Sequence, residues 1–141
     1  ASDLTGEGAR LYGGRWNHPL SACIYTSESR ALAVLEYTVN VNIDNIARAL
    51  SITSFEIPDT AMREFKVADL PGNWRDMPSP SSTKDFGTTL LKTATAPVFK
   101  MPSAVITEEF NYLLNPTHID GKYFRIVGVV DFVYDVRIKL A

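Results

Sequence analysis

Arg15, Tyr25, Glu36 and Ser103 are the side chains of this sequence whose types, taken together, could do chemistry. Arginine offers a rigid fork of donors that suits a diphosphate. A tyrosine ring can stack on a flat heterocycle, or its hydroxyl can donate a hydrogen bond. A lone carboxylate beside them can stabilise positive charge growing on a ribose carbon, by the same electrostatic logic that serves glycoside cleavage. A dinucleotide with a labile glycosidic bond fits these roles. Each residue also has a plainer reading. Glu36 could be a boundary acid paired with an arginine such as Arg15, and Ser103 could satisfy its own backbone at a bend.

The elements that must position this set begin with the stretch from Arg10 to Glu36. Gly13 and Gly14 run directly into Arg15, Trp16 and Asn17; they permit backbone angles closed to other residues or let another group approach the main chain. Cys23, Ile24, Tyr25 and Thr26 read as a buried strand. Ser27 is a suitable N-cap for a helix over 29–39, whose Leu32, Leu35 or Glu36, and Val39 share one broad face. Residues 1–9 are small and polar, with Gly6 and Gly8 breaking any helix. The start is abrupt, and the sequence leaves open whether a first strand precedes Ala1.

Further along, residues 51–57 read as a strand of an antiparallel sheet that stops at Pro58. The piece 59–67 fits either a short helix or a turn and strand. Residues 71–82 form a proline- and serine-rich loop that Trp74 pins to the body. A helix follows from Ser82 or Thr83 to Thr95, with Phe86, Leu90 and Leu91 inward and Pro97 ending it. Residues 98–106 form a strand interrupted at Met101, Pro102 and Ser103, because a proline inside a strand marks an edge or a bulge. Residues 111–116 read as a short helical turn closed by Asn115 and Pro116. The β-formers of 123–136 supply one or two closing strands, with Gly128 or Asp131 at a bulge or turn.

Composition excludes several classes. At 141 residues, with 45% hydrophobic and 21% charged side chains, the chain is one ordinary globular domain spanning 1–141. A formal net charge of -2 argues against direct binding of nucleic acid or anionic membrane. No run reaches the roughly 18 apolar residues of a membrane span. The single cysteine, Cys23, allows no internal disulfide, which suits the cytoplasm. His18 and His118 begin no recognised ligand spacing, so no metal is expected. No dinucleotide fingerprint, phosphate-binding loop or serine-hydrolase elbow occurs.

The segments GARLYGGRWN, IYT, ALAVLE, MPSAVI, NYLLNPTH and FVYDVRI, in that order, resemble the RES-domain family of toxins from two-gene toxin–antitoxin systems. The resemblance spans nearly the whole chain. It implies an α+β fold similar to the ADP-ribosyltransferases, with a split antiparallel-rich sheet, flanking helices and an NAD pocket between sheets. It implies that Arg15, Tyr25, Glu36 and Ser103 are the family's active-site arginine, tyrosine, glutamate and serine. NAD is then the substrate, bound by Arg15, Tyr25 and Ser103 with help from Arg10, and cleaved by hydrolysis or phosphorolysis. Alternatives are transfer of ADP-ribose to a protein, or a noncatalytic domain that binds its regulator. The implied partner is an antitoxin with a helix-turn-helix region that binds DNA and covers the pocket. One departure falls at His18, Pro19 and Leu20, where members often carry a small residue, proline and glycine.

Overall fold

The computed structural model describes residues 6–47, 49–59, 62–93, 95–118 and 124–140. Any strand ahead of Ala1 lies outside them. The described elements run α1 (Glu7–Tyr12), β1 (Ile24–Ser27), α2 (Arg30–Asn40), β2 (Ala49–Glu56), β3 (Met62–Glu64), α3 (Ser81–Thr93), β4 (Val98–Pro102), β5 (Phe110–Leu114), β6 (Arg125–Val133) and α4 (Arg137–Leu140). The strands form a four-stranded sheet in the order β1-β5-β4-β3 and a two-stranded sheet of β2 and β6. Every pairing is antiparallel except β3 with β4. This is the split, antiparallel-rich α+β architecture that the resemblance implied.

Strand alternation gives the larger sheet two apolar faces. Val98 and Leu114 pack with Phe124, Ile24, Met62, Tyr112 and Phe55 toward the small sheet. Phe99, Met101 and Leu113 pack on the other side with Trp16, Trp74, Phe65 and the Leu90 and Leu91 of α3. Leu113 lies opposite both Tyr25 and Phe99, and Asn111 lies opposite both Ser27 and Met101. Tyr25, Ser27 and Asn111 therefore share the face that carries α3.

Several expectations are corrected. Residues 110–114 form β5, not a helical turn. The short run lies between β1 and β4, where ladder bonds on both sides and burial on both faces override the local Asn-Pro signal. A helix, α1, does form near the start. Gly6 stands outside it as a left-handed cap with φ 70°, so only Gly8 burdens its interior. Ser27 ends β1, and the cap of α2 is Ser29, whose side chain accepts from the Leu32 N–H. Val39 faces solvent; the buried positions on α2 are Leu32 and Thr38. Thr38 is bonded at 2.7 Å to the hydroxyl of the fully buried Tyr134, tying the helix to the end of β6.

Other expectations hold. The 59–67 piece contains strand β3, and Trp74 is buried in the core. The strand expected over 98–106 is corrected: it runs unbroken from Val98 to Pro102 and does not resume over 103–106, and Pro102 pairs with Phe110 of β5 but lies beyond the stretch where β3 pairs with β4. β6 is one strand whose register skips Val127 between Gly128 and Ile126, which places the bulge beside Gly128.

Among the described glycines, Gly87 of α3 is the most tightly packed. A Cβ built there would lie 1.9 Å from the Trp16 carbonyl oxygen, and that obstacle is main chain. Gly87→Ala is therefore expected to cost about 3 kcal/mol, as overpacking against backbone does. Denaturant unfolding with an unchanged midpoint would show that the two segments can separate without penalty.

Candidate active site

The site starts from the turn after α1. Gly13 holds φ 75°, and Gly14 lies so close to Tyr25 that a Cβ on it would meet the phenol oxygen at 2.6 Å. Both uses proposed for the paired glycines thus occur, one at each residue. The Tyr25 hydroxyl accepts the Trp16 N–H at 3.0 Å and donates to Asn17 Oδ1. The amide of Asn17, fully buried, in turn donates to the Ala9 and Ser21 carbonyls at 2.8 and 2.9 Å. Tyr25 therefore fixes the main chain beside Arg15, while 39% of its surface stays open to solvent. Leu20 adopts φ 81°, a strained angle for a β-carbon residue, at the departure from the family's glycine.

Arg15 reaches the 71–80 loop. Its guanidinium donates to the Trp74 and Asp76 carbonyls at 2.8 and 3.0 Å, and contacts Met77 Sδ at 2.7 Å. Burial pulls its pKa below the usual value, partly offset by the negative charge of Glu36. It stays cationic at neutral pH.

Glu36 and Ser103 come together directly. The Ser103 hydroxyl donates to Glu36 Oε1 at 2.7 Å, and Asn111 Nδ2 donates to the same oxygen at 2.7 Å. Ser103 also accepts the Val105 and Ile106 N–H groups at 3.1 and 3.2 Å. So the plain backbone role of Ser103 is real, and it coexists with the contact to the acid. A hydroxyl whose lone pairs are filled and whose proton is given away is poorly placed to attack. No ion pair joins Glu36 to an arginine among the described residues; the plain reading of that acid does not match its partners.

Asn111, Ser27 and Asn17 were not picked out by the sequence. Ser27 Oγ donates to Asn111 Oδ1 at 2.7 Å, a contact visible only once 110–114 is recognised as a strand. Arg10, another expected substrate contact, lies in the last turn of α1, where its carbonyl accepts the Leu20 N–H at 2.6 Å. A cleft of about 820 Å³ opens between the two sheets, lined by Ile24, Thr26, Tyr37, Ile52, Phe132 and neighbours. Tyr25 and Ser27 belong to its lining, whereas Arg15, Glu36 and Ser103 do not. No three His, Cys, Asp or Glu side chains among the described residues are grouped to hold a metal ion.

The family model described as RES domain matches residues 1–135. The chain belongs to the RES-domain family. It is 37% identical over 143 residues to Toxin Res of Yersinia enterocolitica, covering 99% of this chain and 92% of that one. It is 34% identical over 140 residues to the Prs ADP-ribosylating toxin of a Sphingobium species, covering 97% and 87%. The crystal structure of the M. tuberculosis MbcT-MbcA toxin-antitoxin complex contains a chain with the same fold, at TM-score 0.77 and 18% identity, over 99% of this chain and 81% of that one. For this RES-domain chain the fold likeness extends through the strands and helices that bring Glu36 to Ser103.

Burial pushes the Tyr25 phenol well above its usual pKa, with Cys23 adding to the rise and the Trp16 N–H opposing it. Burial also raises the Cys23 thiol. The unfolded chain releases these protons at about pH 8.5 for the thiol and about pH 10 for the phenol, while the folded chain retains them. Their contribution to stability is intact below those values and is lost as pH rises above them. Tyr25→Phe should lower stability by about 1–3 kcal/mol at neutral pH, since it strands the Trp16 N–H and Asn17. Above about pH 10 its stability should fall less steeply than that of the parent. Parallel pH profiles from denaturant titrations would contradict an enclosed, protonated phenol.

Proposed function

We propose that this chain is the toxin of a bacterial toxin–antitoxin pair and consumes NAD by cleaving the nicotinamide–ribose bond, with water or phosphate as acceptor. The observation that carries this reading is the Glu36 carboxylate, which takes hydrogen bonds from Ser103 and Asn111 on one oxygen. Among the described residues its other oxygen has no hydrogen-bond partner. Such an anion, held in place and not cancelled by a cation, can stabilise an oxocarbenium-like centre as nicotinamide departs.

Arg15 would hold the diphosphate or the neighbouring ribose, exchanging its loop carbonyls for phosphate oxygens, with Arg10 assisting. Tyr25 would orient the nicotinamide–ribose end through its open ring face, staying protonated because of its burial. Ser103 would position Glu36, and through it the substrate. The inter-sheet cleft, walled on one side by β1, offers room for the remainder of a dinucleotide.

Transfer of ADP-ribose to a protein is a second reading, favoured by one observation, the name of the Sphingobium relative as an ADP-ribosylating toxin. Both readings break the same bond and differ in the acceptor. An antitoxin partner is supported by the relatives named Toxin Res and by exposed Leu11, Tyr12, Leu20 and Met77 around the Arg15 turn and its loop. A helix-turn-helix region in that partner follows from the family resemblance, and a cytoplasmic location, where NAD is available, suits the single cysteine. No described helix is long and apolar enough to cross a membrane.

The test incubates antitoxin-free protein with NAD, with and without inorganic phosphate, and resolves products by mass spectrometry. ADP-ribose without phosphate indicates hydrolysis, and a phosphate adduct indicates phosphorolysis. Label passing from NAD to added protein selects the transferase reading. Glu36→Gln should lower turnover by about 100-fold or more, as loss of a charge aimed at the transition state does; full turnover in that variant would sink the role given to Glu36.

A further inference from the structure

Glu36 sits on a helix, and its donors sit on β5 and just past the end of β4. A carboxylate on a flexible two-carbon arm can rotate, so two bonds to one oxygen mean that something aims the donors. Ser103 is aimed by the Val105 and Ile106 N–H groups that it accepts. Among the described residues, Asn111 has no such main-chain clamp on its amide group. Its amide is anchored by Ser27, which lies directly opposite it on β1 and donates to Oδ1.

The orientation of the amide follows from donor and acceptor arithmetic. Asn111 Nδ2 donates to Glu36 Oε1 at 2.7 Å, and Ser27 Oγ donates to Asn111 Oδ1 at 2.7 Å. Turning the amide over would set its carbonyl oxygen against the carboxylate, two acceptors face to face. The acceptor-only carboxylate thus sets which end of the amide faces it, and the Ser27 hydroxyl, by donating to Oδ1, anchors the other end.

We propose that Ser27 and Asn111 form a positioning relay for the acid: Ser27 anchors the Asn111 amide, and Asn111 with Ser103 fixes Glu36 Oε1 so that Oε2 faces the reacting ribose. This rests on the NAD-cleaving reading of the site. Both residues act on the chemistry through Glu36. Ser27 also lines the inter-sheet cleft, so the relay spans β1 from the cleft wall to the acid.

The experiment is a mutant cycle on purified, antitoxin-free chain, with folding checked by circular dichroism and NAD turnover followed. Asn111→Ala should lower kcat by about 10- to 100-fold with KM changed by less than about threefold, since a misaimed acid affects the transition state and not binding. Ser27→Ala should cause a smaller loss of the same kind, and Ser27→Thr, which keeps the hydroxyl, should restore turnover. The Ser27→Ala, Asn111→Ala double variant should be no slower than Asn111→Ala, and Asn111→Ala should add nothing in a Glu36→Gln background.

A second readout does not need activity. The Asn111 side-chain amide resonances, assigned by NMR in the free chain, should shift in both Ser27→Ala and Glu36→Gln. Additive kinetic losses, unchanged kcat in Asn111→Ala, or amide resonances that ignore both substitutions would overturn the relay. Parent protein that leaves NAD intact would overturn the functional reading instead, and the resonances would still decide whether the bonds of the relay exist.

Discussion

The contact on which the rest of the molecule depends is the seating of the Trp16 main chain against Gly87. Side-chain contacts can slide, but a carbonyl lodged where a Cβ would stand has one position. The Trp16 ring then stacks on Trp74, with centroids 6.4 Å apart, and tilts against Phe86 at 6.0 Å. One residue thereby joins the GGRWN turn, α3 and the 71–80 loop. The neighbouring His18 N–H donates to Thr88 Oγ1 at 2.9 Å, and Lys84 Nζ donates to the Gly14 carbonyl at 2.7 Å, so α3 grips the turn at both ends. Arg15 inherits its direction from this anchor.

Locally encoded features were legible in the sequence. The glycine pair, the strand at Tyr25, the helix bearing Glu36 and the helix before Pro97 each carry their signal within a few residues. What the sequence hid depends on pairing between distant segments. Residues 110–114 are short and apolar and end near a proline, so propensity alone cannot separate a turn of helix from a strand buried on both faces. Losing that strand also hid Asn111, whose importance lies in standing opposite Ser27. Ser27 was misassigned for a related reason, because Ser27 and Ser29 both fit a cap and only the end of the β1 ladder decides between them.

The candidate site was legible to a similar degree. Residue types and family resemblance pointed to Arg15, Tyr25, Glu36 and Ser103, and the fold joins Glu36 to Ser103 and sets Tyr25 against the turn that carries Arg15. The threonines of α3, which weaken its helix propensity, had no evident purpose in the sequence. Thr83 and Thr88 are buried; Thr83 donates to the Pro80 carbonyl at the start of its own helix, and Thr88 accepts the His18 N–H, so the polarity of Thr88 serves the packing of the turn.

The separation of Arg15 from Glu36 bears most directly on chemistry. Had the two formed an ion pair, each would have neutralised the other, and neither would retain charge for a substrate. Arg15 is bonded instead to the carbonyls of Trp74 and Asp76, which satisfy its donors without cancelling its charge. Glu36 is bonded to a hydroxyl and an amide, which likewise leave its charge in place. A cation and an anion kept apart by neutral partners form a dipole across the turn. On the NAD reading, that dipole matches a substrate with a negative diphosphate at one end and a ribose carbon that becomes positive at the other. The fold thus keeps both charges available by giving each uncharged partners.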